Sequence, residues 1–304
     1  MLKSLYSGVS GMKGFQTKLD VIGNNVANVN TVGFKKSRVI FQDIISQNIA
    51  GATSPTGLRG GVNPKQIGLG TKIASIDTIH TPGSPMTTNV GSDLAIDGDA
   101  FFVVSPEIGG ANYLTKAGNF TRDASGDLVN SNGFYVLGKT DTSPAPIQIN
   151  ISSDAVTNKA FTSYSIDSYG YINVVDEDGN SGKLASKNGT DFYLYNPEVN
   201  DPAVYDYDPG DVISLATTVV SNPGGLKKIG NTMFEATGNS GAAVLGRIED
   251  NAGGQINSGV LEMSNVDLTE EFTEMIIAQR GFQANARTIT TSDSILEEVV
   301  NLKR

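Results

Sequence analysis

Residues 266–304 read VDLTEEFTEMIIAQRGFQANARTITTSDSILEEVVNLKR, and their spacing decides the fold. Leu268, Phe272, Met275, Gln279, Phe282, Ala286, Ile289, Asp293, Leu296 and Val300 follow one another at alternating steps of 4 and 3. That is the period of a helix carrying one apolar stripe of heptad type. Asp267 with Glu270 fits an N-cap and capping box, and Glu271 and Glu274 keep the first turns negative. Lys303 and Arg304 stand at the other end, where the helix dipole favours cations.

The opposite end of the chain repeats the pattern. Leu2, Leu5, Val9, Met12, Phe15, Leu19, Ile22, Val26 and Val29 recur at steps of 3 and 4, which predicts a helix over residues 1–29. Gly8, Gly11, Gly14 and Gly23 weaken it, each by about 1 kcal/mol relative to Ala. The pattern stops at Asn30-Thr31-Val32-Gly33, a turn composition.

Between the ends the period changes. Short apolar runs such as Ala100–Val104, Phe134–Leu137 and Tyr171–Val175 alternate with turn clusters such as Asp97-Gly98-Asp99, Ser131-Asn132-Gly133 and Asp176-Glu177-Asp178-Gly179. This is a mainly-β pattern punctuated by hairpins. The predicted fold class is therefore α+β: paired terminal α-helices of coiled-coil type and a mainly-β middle domain. Residues 1–30 and 266–304 form the helical core domain and 71–265 the β domain. Within the latter, residues 180–211, rich in Asn, Asp, Pro and Tyr, read as a surface insertion or small subdomain. Residues 31–70 hold Phe41, Ile44, Ile45 and Ile49, then Pro55, Gly57, Gly60 and Gly61, and read as an irregular joint or arm.

Composition removes several classes of function. The 304 residues carry 22 Lys and Arg against 32 Asp and Glu. A nucleic-acid binder needs a basic face to neutralise phosphates, so no nucleic-acid partner is expected. With no Cys and a single His, thiolate metal sites, disulfides and a cysteine nucleophile are out, and a His-dependent triad has only His80. His80 in Ile79-His80-Thr81-Pro82 reads as a surface or hydrogen-bonded histidine. Asp176 to Asn180 departs from the calcium-loop pattern because its Gly comes at the fourth position, and reads as a solvated hairpin. The expectation is a non-enzyme without cofactor or metal. No apolar run approaches the roughly 20 residues of a membrane span. The stretch MLKSLYSGVSGMKGF lacks the apolar core of a cleavable signal peptide.

The magnitudes point toward association. The eight apolar groups of the second stripe, fully buried, would gain on the order of 12–24 kcal/mol. Ordering nearly 40 residues costs about 1–2 kcal/mol each in backbone entropy. A lone helix pair buries part of each stripe, so the ends are expected to be frayed until neighbours cover them. A stable β body with two conditionally ordered ends is the description of a polymer subunit, and head-to-tail contacts that do not close give an open helical filament. The expected assembly interface comprises Leu5, Val9, Met12, Phe15, Leu19, Ile22 and Val26 with Phe272, Met275, Ile276, Phe282, Ile289 and Leu296. The expected helix-to-β joint comprises Asn24, Asn25, Asn28, Asn30, Gly33 and Phe34. The asparagines suit helix termination and turn chemistry, or a fixed corner; both readings stand. Gly33 is expected at positive φ and Phe34 as a core anchor.

Ser7-Gly8-Val9-Ser10-Gly11-Met12 and Leu19-Asp20-Val21-Ile22-Gly23-Asn24-Asn25-Val26-Ala27-Asn28-Val29-Asn30-Thr31-Val32-Gly33-Phe34-Lys35 resemble the N-terminal signature of bacterial flagellar rod and hook proteins. Asp93–Gly98, Ala117–Phe120 and Leu226–Gly230 look like that family's β-domain landmarks, and Gly259–Leu268 with Gln279–Asn285 like its C-terminal region. The resemblance implies paired terminal helices lining a channel, an outer β domain, and export by the flagellar type III apparatus to the extracellular flagellum. Within the family, Ser7–Met12 and Gly61–Gly70 look closer to hook than to distal rod proteins. The function so implied is a self-assembling subunit of the hook, the flexible curved tube coupling motor rod to filament. Its implied partners are further copies of itself, rod and hook–filament junction proteins, and the hook cap. The alternatives are a distal rod protein and, more remotely, a secreted β-rich carbohydrate-binding or carbohydrate-active protein.

Overall fold

The computed structural model describes residues 2–302 apart from 56–58, 108, 144, 156–157, 187–188, 190, 197–208 and 251–252. The chain divides into two compact units. The helical unit comprises residues 1–29, 36–79 and 266–304; the β unit comprises 30–35 and 80–265.

In the helical unit, α1 (Leu2–Ala27) and α2 (Leu268–Asn301) match the two periodic stretches. Asp267 caps α2, accepting the backbone N–H of Thr269 at 2.7 Å and of Glu270 at 3.3 Å. Those two N–H groups hold its carboxyl below the usual range. The capping box is half made, because the Glu270 carboxylate turns to Lys36 at 2.6 Å. Lys303 and Arg304 lie outside the described residues. The helices run antiparallel. A Cβ built on Gly8 would meet Thr288 at 3.1 Å, one on Gly11 would meet Asn285 at 3.0 Å, and one on Gly281 would meet the Phe15 ring at 2.6 Å. Partners on α2 thus fall in number as those on α1 rise.

The stretch expected as an irregular joint is largely paired. β1 (Ser37–Asp43) and β4 (Thr71–Thr78) form one antiparallel ladder, and β2 (Ser46–Ala50) and β3 (Lys65–Gly68) a second. Hydrogen bonds from Ile44 N–H to the Gly70 carbonyl and from Leu69 N–H to the Ile45 carbonyl join them, at 3.1 and 3.2 Å. Residues 37–78 thus include one long hairpin, and β4, expected in the β domain, belongs to the helical unit. Phe41 explains the attachment: its ring lies 5.6 Å from that of Phe15, and a Cβ on Gly14 would come within 2.7 Å of it. Gly14, expected to weaken α1, is where the Phe41 ring approaches, and Gly281 admits the Phe15 ring in the same way.

In the β unit, an 11-stranded sheet has a path of antiparallel neighbours. It runs Lys227–Gly230, Met233–Glu235, Tyr113–Thr115, Phe101–Ser105, Tyr135–Lys139, Leu128–Val129 and Thr121–Arg122. Two cores flank the central strand: Phe102 and Val104 face one with Phe120, Ile149 and Ile213, while Phe101 and Val103 face the other with Leu114 and Phe234. Alternate residues of a strand point to opposite faces, so a continuous apolar run marks a strand covered on both sides. A separate four-stranded meander, Phe161–Ile166, Ile172–Asp176, Ser181–Ser186 and Phe192–Tyr195, follows. The expected insertion at 180–211 therefore supplies two strands of that sheet; its residues 197–208 lie outside the described ones.

Candidate assembly interface

The expected interface residues divide by exposure. Ile22 is buried; Leu5, Met12, Phe15, Leu19, Val26, Met275, Phe282, Ile289 and Leu296 are half-buried; Val9, Phe272 and Ile276 are exposed. The period of the stripe is correct, but its width exceeds what one partner helix covers. On α2, Leu268, Phe272, Ile276 and Ile277 are exposed near the start, and Ile295, Val299, Val300 and Leu302 near the end. Phe272 and Ile276 keep 50% and 59% of their surface. An i, i+4 spacing puts Leu268, Phe272 and Ile276 on one ridge. On α1, Tyr6 and Val9 are likewise exposed. The hairpin adds Ile45, Ile49, Val62 and Ile67, all exposed. An exposed apolar row such as Leu268, Phe272 and Ile276 is the kind of surface on which proteins associate.

Polar contacts fix the frame that presents those faces. Asn25 is 1% exposed. Its amide donates to the Ser37 carbonyl at 2.9 Å and to Glu271 Oε2 at 3.1 Å, and its Oδ1 accepts the Ser37 N–H at 3.0 Å. One side chain thereby ties α1 to β1 and α2. Lys18 pairs with Glu274 and Lys36 with Glu270, both across elements of this unit. The other joint residues do different work. Asn28 donates its amide to the Asn24 carbonyl at 2.9 Å, closing the end of α1, and Asn30 is exposed.

Gly33 and Phe34 belong to the β unit. Gly33 has φ +68°, and a Cβ there would lie 2.5 Å from the Ala117 nitrogen. Its N–H donates to the Glu262 carbonyl at 2.8 Å. Phe34 is half-buried, with the Lys228 ammonium 4.9 Å from its ring centroid. Two buried charged positions were not among the expected site residues. Lys35 and Glu262, both buried, form an ion pair at 2.5 Å. They stand 227 positions apart, and no local signal in either segment names the other.

His80, expected at the surface or hydrogen-bonded, is half-buried and packs against Phe101 and Phe234, with centroids 5.7 and 5.2 Å away. Asp176 and Asp178 of the acidic hairpin face Lys159, and the described residues hold no cluster of three or more His, Asp or Glu able to take a metal. No described helix is long and apolar enough to cross a membrane.

Comparison with known proteins gives this geometry a context. The family model "Flagella basal body rod protein" matches residues 5–35. "Flagellar hook protein FlgE/F/G D1 domain" matches 95–174, and "Flagellar basal body rod FlgEFG protein C-terminal" matches 257–302. The flagellar basal-body rod protein FlgG of Bacillus subtilis is 47% identical over 305 residues, spanning all of both chains. The flagellar hook protein FlgE of Borreliella burgdorferi is 35% identical over 444 residues, again spanning all of both. The rod protein FlgG of the same organism is 33% identical over 307 residues, all of both chains. Rod and hook relatives therefore both extend across the entire chain.

Proposed function

Since this chain belongs to the flagellar rod and hook family of axial structural proteins, we propose that it polymerises through its helical unit into the flagellar axis, as a subunit of the rod. The observation that carries polymerisation is the outward apolar ridge of Leu268, Phe272 and Ile276 on a helix whose other face is already occupied. Further copies of the chain are the partner in this reading. Adjoining rod or junction proteins, a cap and the type III export apparatus complete the set implied by family membership.

Alignment length supports rod over hook. The rod relatives align over 305 and 307 residues with a chain of 304, whereas the hook relative needs 444. The 35% identity to that hook protein across the entire chain supports the second reading, a hook subunit. Electron microscopy of basal bodies from a strain lacking this chain separates the two. The rod reading predicts structures that stop within the rod. Complete rods lacking only the curved segment would favour the hook.

A further inference from the structure

Asn30–Lys35, the stretch starting at His80 and the stretch ending at Asn265 are where the chain enters and leaves the β unit. Inside that unit they meet at one carboxylate. Lys35, 1% exposed, donates its Nζ to Glu262 Oε1 at 2.5 Å and to the Thr81 carbonyl at 2.8 Å. The same Oε1 accepts the Gly83 N–H at 2.9 Å. The Asn265 amide reaches Thr81 Oγ1 at 3.0 Å. Glu262 Oε2 is buried without a hydrogen-bond partner.

The surroundings are cationic. Lys116, buried, donates to the Gly98 carbonyl at 2.6 Å and lies 5.2 Å from the Phe101 ring centroid. Lys228 donates to the Lys35 carbonyl at 2.8 Å. His80 sits between Phe101 and Phe234, and the charged side chains acting on it are Lys35, Lys228 and Lys116. Glu262, Asp97 and Asp99 act on Lys116 as its carboxylates. Charges out of water are tolerated when paired, and an added unpaired one is costly.

We propose that this cluster is an acid-sensitive latch: Glu262 holds the three stretches together while His80 is neutral, and a proton on His80 adds a cation that releases them. The sign follows from linkage. Burial first, then the three lysines, push His80 down to about 4, with the Pro223 carbonyl working the other way. The opened chain takes the proton near the ordinary value of about 6.5. The open form therefore binds more protons, and closure weakens progressively as pH falls from about 6.5 toward 4. The latch lies within the β unit and does not depend on the choice between rod and hook.

Hydrogen exchange of the full chain, expressed as protection corrected for intrinsic rate, tests it. In the parent protein, protection of 30–35, 80–84 and 260–265 should fall roughly tenfold or more between about pH 6.5 and pH 4, while Phe101–Ser105 stays protected. His80→Phe retains an aromatic ring against Phe101 and Phe234 but cannot titrate; its opening midpoint should lie about one pH unit lower or more. Glu262→Gln should open the same stretches already near neutral pH. An unchanged midpoint in His80→Phe would overturn the latch, whether or not Glu262→Gln folds. So would loss of protection in Phe101–Ser105 together with the three stretches.

Discussion

Phe101–Ser105 in the β unit is buried at every residue, whereas α2, 34 residues long, buries only Glu271 and Ala278. Among the described residues of the helical unit, Ile22 is the one other buried apolar side chain besides glycine. The β unit completes its core with its own chain; the helical unit does not. Charge divides along the same line. The helical unit holds 12 basic and 10 acidic residues, the β unit 10 and 22. A near-neutral unit with uncovered apolar ridges suits close packing of copies, while a strongly acidic one stays solvated and repels its like. The difference shows how one chain can be a stable body and an incomplete seam at once.

Substitutions should separate these two behaviours. The largest effect is expected from Phe272→Asp combined with Ile276→Asp, which places two carboxylates on the uncovered ridge. Assembly measured by sedimentation should fall more than about a thousandfold, since each buried apolar group supplies about 1.5–3 kcal/mol. The β signal in circular dichroism should not change. Phe102→Ala is the converse. It removes a fully buried ring stacked edge-on against Phe120 at 5.2 Å, and should cost the β unit about 3–5 kcal/mol in denaturant unfolding.

Asn25→Ala leaves the Ser37 backbone groups and Glu271 without this partner. It should cost about 1–3 kcal/mol, read as faster amide exchange at Ser37 with no change at Phe101–Ser105. The smallest effect is a gain. Asn231 and Thr232 both have positive φ, +53° and +57°, in the two-residue turn between Lys227–Gly230 and Met233–Glu235. A β-branched residue is strained there. Thr232→Gly should stabilise the β unit by about 1 kcal/mol, seen as a raised Tm, and should leave assembly untouched.

The two helices and the β body were legible because their signals are local. A heptad stripe and an apolar run between turn residues each declare themselves within a short window. The hairpin at 37–78 was not, because its strands are mostly exposed and its Gly- and Pro-rich tip has the composition of a loop. Pairing of Ser37 with Thr78 leaves no trace in either segment. Asn25 was marked as a joint residue from its place in an asparagine-rich helix end, but its bonds to Ser37 and Glu271 are tertiary. The pairing of Lys35 with Glu262 was illegible for the same reason: a lysine after an aromatic and a glutamate in a strand are ordinary until the fold buries them together. Gly14 shows the reverse error, where local propensity counted a cost and close packing of Phe41 supplied the cause.

The helices await completion by other copies, whereas the β unit is complete alone. Hydrogen exchange of the dilute monomer and of the assembled polymer tests this directly. Exchange along α1 and α2 should be rapid in the monomer and at least tenfold slower in the polymer, with equal protection of Phe101–Ser105 in both. Helices already as protected in the dilute monomer as in the polymer would contradict it.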